Sequence, residues 1–173
     1  VPGERPVPPP SQEELYGKYL ADLDGTDLSL AKTGFEGLLH LAETGYEPAM
    51  FQVAYTYVWT KDSVSLARKM KLGLPVYESM DNKLLEGLFK DNSKNEEAII
   101  WLKRLIEKTD STDYQAMAWL AQYYLNGNVV NKDLPNAISL LEKSKETAID
   151  SSDWDFVSKV NSMLDKIKKQ NYD

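Results

Sequence analysis

The chain has 173 residues, with a single histidine, His40, and no cysteine. A Ser–His–Asp relay needs an imidazole to take the nucleophile's proton and a carboxylate to orient it. Only His40 could serve, and its place between Leu39 and Leu41 on a helical pattern suits a structural or surface role. The acidic run Asp150-Ser151-Ser152-Asp153-Trp154-Asp155 has alternating oxygen ligands but lacks the turn glycine and distal glutamate of a calcium loop. Capping of the next helix by Ser152 or Asp153 accounts for it better. Asp110-Ser111-Thr112-Asp113 reads the same way before a helix at 114. Glu96 and Glu97 are paired carboxylates in a first helical turn, where the dipole already favours negative charge; an acid/base pair for glycoside cleavage would have to come from carboxylates distant in sequence, and nothing points to one. No G-x-x-x-x-G-K or G-x-G-x-x-G segment offers a phosphate cradle. These residues point away from an enzyme, and no metal or cofactor is expected. A glycan-acting hydrolase is kept as a minor alternative.

The elements that would position these residues are helical. Hydrophobic residues make up 42% of the chain, enough for a core. Net charge is −7, and a nucleic-acid binder usually shows a basic stripe. The nearest candidate, Lys166, Lys168 and Lys169, closes a helix, where cations complement the macrodipole. No apolar run reaches the ~20 residues that span a bilayer. Residues 1–11 read as a proline-rich tether: five of the eight prolines lie in Val1–Pro10, favouring an extended polyproline conformation. That spacer suggests an exported, periplasmic product with a lipid anchor ahead of it, the alternative being a cytoplasmic one.

Ser11-Gln12-Glu13-Glu14 is a capping-box pattern that opens the first helix. Periodicity and punctuation then predict nine helices, at about 12–23, 28–43, 48–59, 63–73, 79–90, 95–108, 114–126, 135–149 and 153–170. Pro48 and Pro135 sit at helix starts, Asn95 is a candidate cap, and Gly45, Gly73 and Gly127 follow helix ends. The last helix carries one apolar stripe and one charged face, as a terminal cap would.

Ala49–Val58 and Ala116–Leu125 are gapless copies 67 residues apart, identical at the Ala, Met, Ala and Tyr positions. Such repetition marks a solenoid, in which each unit covers its neighbour's apolar face. The offset is either one repeat with an insertion of about 28 residues or two repeats of ~34 residues. The second account is favoured, because Val64, Ala67, Met70 and Lys71, then Met80, Leu84, Leu85, Leu88 and Phe89, have helical spacing of their own. The expected fold is an all-α, right-handed solenoid of about four αα hairpins: repeats over 12–152, a degenerate unit at 60–94, and a capping helix at 153–173.

The run Ala116–Ile138 resembles the Sel-like repeat, a relative of the tetratricopeptide repeat, through Ala116, Leu120, Tyr124, Gly127, Val129 or Val130, Lys132, Asp133 and Ala137. Ala121 stands where that family has glycine. Leu41–Ala49 is similar to the family's inter-repeat junction, and the pattern lapses between 60 and 95. The resemblance implies bacterial adaptor work with no catalytic residues, often in exported proteins.

With Val53, Leu84 and Leu120 as buried register positions, the first helix of each hairpin turns Phe51, Tyr55, Val58 and Trp59, then Asn82, Glu86, Phe89 and Lys90, then Ala118, Gln122, Leu125 and Asn126 into a concave groove. Phe51, Tyr55, Trp59, Glu86, Phe89, Lys90, Gln122 and Asn126 are the expected protein-binding residues, since large aromatics among polar groups suit a desolvated binding patch. Tyr57, Tyr124 and Trp101 are assigned to packing. The expected function is a protein-binding module whose acidic surface suits a partner of basic character. The specific expectation is a periplasmic immunity protein that neutralises a secreted toxic effector of the type VI secretion phospholipase kind. The alternative is an envelope scaffold for a secretion or polysaccharide machine.

Overall fold

The computed structural model describes residues 3–58, 62–74, 93–127 and 129–172. Among these are eight helices and no strand: α1 (Gln12–Asp24), α2 (Leu28–Glu43), α3 (Glu47–Tyr57), α4 (Ser63–Leu72), α5 (Ser93–Lys108), α6 (Tyr114–Asn126), α7 (Leu134–Asp150) and α8 (Trp154–Tyr172). The expected helix at 79–90 lies outside the described residues.

Local chemistry sets most boundaries. The Ser11 hydroxyl accepts the Glu14 amide at 3.1 Å to open α1, and Asp27, Asp62, Asp113 and Asp133 cap α2, α4, α6 and α7 in the same way. Pro48 and Pro135 fall in the first turns of α3 and α7. α4 and α6 end in left-handed glycines, Gly73 at φ 69° and Gly127 at φ 72°. Boundaries fall within two residues of expectation; α3 ends at Tyr57, with Val58 extended, and α5 begins at Ser93, so Asn95 lies inside the helix.

Neighbouring helices pack in sequence order, as in a solenoid. The main pairs are α1 with α2, α3 with α5, and α6 with α7; α2 against α3 and α5 against α6 join successive pairs, and α8 closes on α7. The principal partner of α3 is thus α5, not the adjacent α4. The main core joins Leu23, Phe35, Leu38, Val53, Tyr57, Leu102, Leu105 and Leu120. A second cluster under α8 joins Ala121, Leu141, Val160, Leu164 and Ile167. The register residues Val53 and Leu120 are buried as expected, and so are Tyr57 and Trp101. Tyr124 is half-buried and packs against both clusters.

α4 is held differently. Its expected apolar stripe is turned outward: Val64 and Met70 are exposed, while Ser65, Arg68 and Lys69 are buried. The inward face is polar because its partners are polar. Arg68 makes a two-pronged ion pair with Asp24 at 2.8 and 2.9 Å and donates to the Gln52 side-chain carbonyl at 2.8 Å. Lys69 donates to the Val58 carbonyl at 2.6 Å. Lys71 donates to the carbonyls of Leu23 and Gly25 at the end of α1, where a cation offsets the helix dipole. α4 is thereby hooked onto the end of α1 and onto the middle and C-terminal end of α3.

Candidate protein-binding groove

Glu47, Phe51 and Tyr55 recur every fourth residue on α3 and share one face. The neighbouring face of α6 presents Gln115, Ala118, Trp119 and Gln122, and that of α8 presents Phe156, Lys159 and Met163. Two clefts run between these helices. The first, about 490 Å³, is bounded by Glu47 and Phe51, by Thr109 and Thr112 of the α5–α6 turn, by Asp113, Tyr114 and Gln115, and by Asp153. The second, about 300 Å³, lies between α6 and α8. Gln115 and Asp153 border both, so the two clefts lie side by side across the starts of α3, α6 and α8 and are taken together as the groove.

An aromatic seam runs beside the α3–α6 part and enters it at Phe51. Phe51 and Tyr55 stack with centroids 6.1 Å apart, and Trp119 lies 5.6 Å from Phe51 and 5.7 Å from Tyr55. All three rings are half-buried. The Tyr55 hydroxyl donates to Asp62, and the Arg68 guanidinium carbon lies 5.3 Å from the Tyr55 ring centroid. Burial first, then the Asp62 carboxylate, pushes that hydroxyl up to about 12. The α6–α8 part is tied by the Tyr114 hydroxyl, which donates to Asp153 at 2.8 Å, and by the Tyr114 and Phe156 rings at 4.7 Å. Asp153 also accepts the Phe156 amide at 3.2 Å, the cap expected for the acidic run. Asp113 accepts the Ala116 amide at 3.0 Å. Burial pushes the Asp113 carboxyl above its ordinary value, and the negative charge of Glu47 adds to this, while the amides it accepts oppose it.

Of the expected binding residues, Phe51 and Gln122 line the groove and Tyr55 belongs to the seam. Asn126 is half-buried at the last turn of α6. Trp59, Glu86, Phe89 and Lys90 lie outside the described residues. Val58 was expected in the groove but is buried in the main core, because α3 stops one residue earlier and its chain turns inward. Leu125 packs against the second cluster. Trp119 escaped the sequence reading. It occupies the register of Gln52 in the other copy, and only the sideways approach of α6 to α3 brings it onto Tyr55.

The nearest approach to a nucleophile–base pair is Ser65 with Lys69, whose ammonium donates to the Ser65 hydroxyl at 2.8 Å. Burial, and then the neighbouring Arg68 charge, pushes Lys69 down to about 8. Both residues are buried, however, and the Ser65 hydroxyl donates to the Tyr55 carbonyl at 2.8 Å, so the pair pegs α4 to α3. His40 is exposed on α2. No group of three or more histidine, aspartate or glutamate side chains is placed to hold a metal ion among the described residues, and none of their helices is long and apolar enough to cross a membrane.

Fold and groove together define an all-α, solenoid-like protein with clefts beside an aromatic seam, bordered by α3, α6 and α8. No protein-family model, curated protein or solved structure matches the chain.

Proposed function

We propose that this chain is a non-enzymatic protein-binding module that receives its partner in the groove across α3, α6 and α8. The observation that carries this reading is the Phe51–Tyr55–Trp119 seam, three half-buried rings beside an open cleft of about 490 Å³. Aromatic side chains anchored in packed surroundings and ringed by polar groups supply most of the energy at protein interfaces. Their stacking also fixes them before binding, which lowers the ordering cost.

The partner class carried with this proposal is a secreted toxic effector neutralised by a periplasmic immunity protein. Membership of the Sel-like repeat family and an exported setting belong to the same proposal. Their support is the Ala116–Ile138 pattern together with the order of the helix pairs. The test is capture and titration of the partner with Phe51→Ala/Tyr55→Ala, which is expected to weaken affinity by more than ~2 kcal/mol with helix content unchanged. Unchanged affinity would remove these rings as the anchor. An equal loss of folding stability would assign them to packing alone.

A further inference from the structure

We infer that the occupant of the groove is an extended segment of another protein carrying arginine or lysine side chains; this rests on the groove being the binding face. The lining mixes aromatic and polar groups, and its charge is negative. Phe51 and Phe156 flank the two clefts, and the carboxylates there are Glu47, Asp113, Asp153 and Asp155 against the single ammonium of Lys159. Asp113 and Asp153 spend part of their charge capping α6 and α8. Each helix start adds about half a positive charge, so three starts leave the groove negative.

A cationic side chain fits both features. Its aliphatic stem covers ring surface, its head meets carboxylate, and a guanidinium also gains from an aromatic face. An acidic segment would meet uncompensated repulsion along the same path. Packed helices lie ~10 Å apart, so crossing from α3 to α8 takes ~20 Å, or about six extended residues. Among the described residues, none of α4 lines either cleft.

The experiment is fluorescence anisotropy on the full chain, with a labelled peptide of about eight residues alternating arginine with glycine or serine, long enough for the ~20 Å path. The same peptide with glutamate in place of arginine is the control. The arginine peptide should bind, and its affinity should fall with added salt, which screens exposed charges beyond about 8 Å at 0.15 M. Glu47→Gln/Asp155→Asn removes two exposed carboxylates that do not cap helices through their side chains. It should weaken binding about tenfold, a change of ~1.4 kcal/mol. Equal binding of both peptides, no binding of the arginine peptide, or an unchanged affinity in the carboxylate variant overturns the inference. If the inference fails while Phe51→Ala/Tyr55→Ala still weakens capture of a natural partner, the groove remains the binding face with a different occupant. If the aromatic variant also leaves capture unchanged, the groove reading itself has failed. A sedimentation shift of the free chain with concentration, abolished by Glu47→Gln/Asp155→Asn, would make a second copy the occupant and overturn the inference too.

Discussion

Tyr55 and Trp119 stack across the two sequence copies, ring centroids 5.7 Å apart and planes inclined by only 17°. They are not equivalent positions: Trp119 matches Gln52, and Tyr55 matches Gln122. The aromatic of one copy thus meets the aromatic of the next, where each copy alone has a polar residue. The rings are half-buried, so their removal costs less than a core truncation. Trp119→Ala should lower unfolding free energy by ~1.5–3 kcal/mol, below the usual range for a buried tryptophan. A double-mutant cycle with Tyr55→Ala should show ~1 kcal/mol of coupling. Urea denaturation of the four proteins measures both, and additive losses would mean that the stacked pair contributes nothing of its own.

The hook of α4 gives an asymmetric prediction. The Arg68 side chain is 3% exposed and that of its partner Asp24 is 39% exposed. Removing the carboxylate strands a buried cation; removing the cation leaves a carboxylate that water can reach. Asp24→Ala should therefore cost ~2–4 kcal/mol, and Arg68→Met, which keeps much of the side-chain volume, about 1–2 kcal/mol. The double variant should lie close to Arg68→Met alone. Denaturant midpoints decide, and a larger loss for Arg68→Met would mean that its bonds to Gln52 and Thr56 outweigh the charge.

This hook also shows where sequence reading stops. Helix starts were legible because a cap is a local event: Ser11, Asp113 and Asp153 each serve an amide three residues on. The buried register of Val53 and Leu120 was legible because the copies repeat it. α4 was not, since Val64, Ala67 and Met70 have correct helical spacing for a core stripe, yet Arg68 finds Asp24 44 residues away and turns the helix over. Burying a charged face is cheap only when every partner is in place, and partners that distant leave no periodic trace. Trp119 was missed for a related reason: matching registers compares a residue with its counterpart, not with the residue it will touch.

The α1–α2 contact rests on two glycines that should respond differently to the same change. A Cβ on Gly34 would meet the Tyr19 carbonyl oxygen at 2.6 Å and the Leu23 amide nitrogen at 2.9 Å, both backbone atoms. The three atoms nearest a Cβ on Gly37 all belong to the Tyr19 ring, also at 2.6 Å. Backbone cannot step aside without parting the helices, whereas a half-buried ring can rotate. Gly34→Ala should cost ~2–3 kcal/mol, since overpacking outweighs the gain of about 1 kcal/mol in helix propensity. Gly37→Ala should stay within about 1 kcal/mol of the parent. Thermal unfolding compares them, and equal losses would show that Tyr19 is as fixed as the backbone.

Stability should peak near pH 10, because buried groups of opposite sign titrate on either side of it. Burial lowers Lys69 from 10.5 to about 8 in the folded chain. Between these values the unfolded chain holds a proton that the folded chain has lost, so stability rises as pH increases from about 8 toward 10.5. Tyr55 moves the other way, from 10.0 to about 12, and burial raises the Tyr57 hydroxyl as well. Above about 10 the unfolded chain loses tyrosine protons that the folded chain keeps, so this contribution is present below that pH and is lost as pH climbs through the folded values. Urea midpoints followed from about pH 7 to about pH 11 should rise and then fall. Lys69→Met should flatten the rising limb even if it lowers stability overall by leaving the Val58 carbonyl without its donor. Tyr55→Phe should make the falling limb shallower and leave the rising one intact. A rising limb that survives in Lys69→Met would assign it to another group and remove the buried ammonium as its cause.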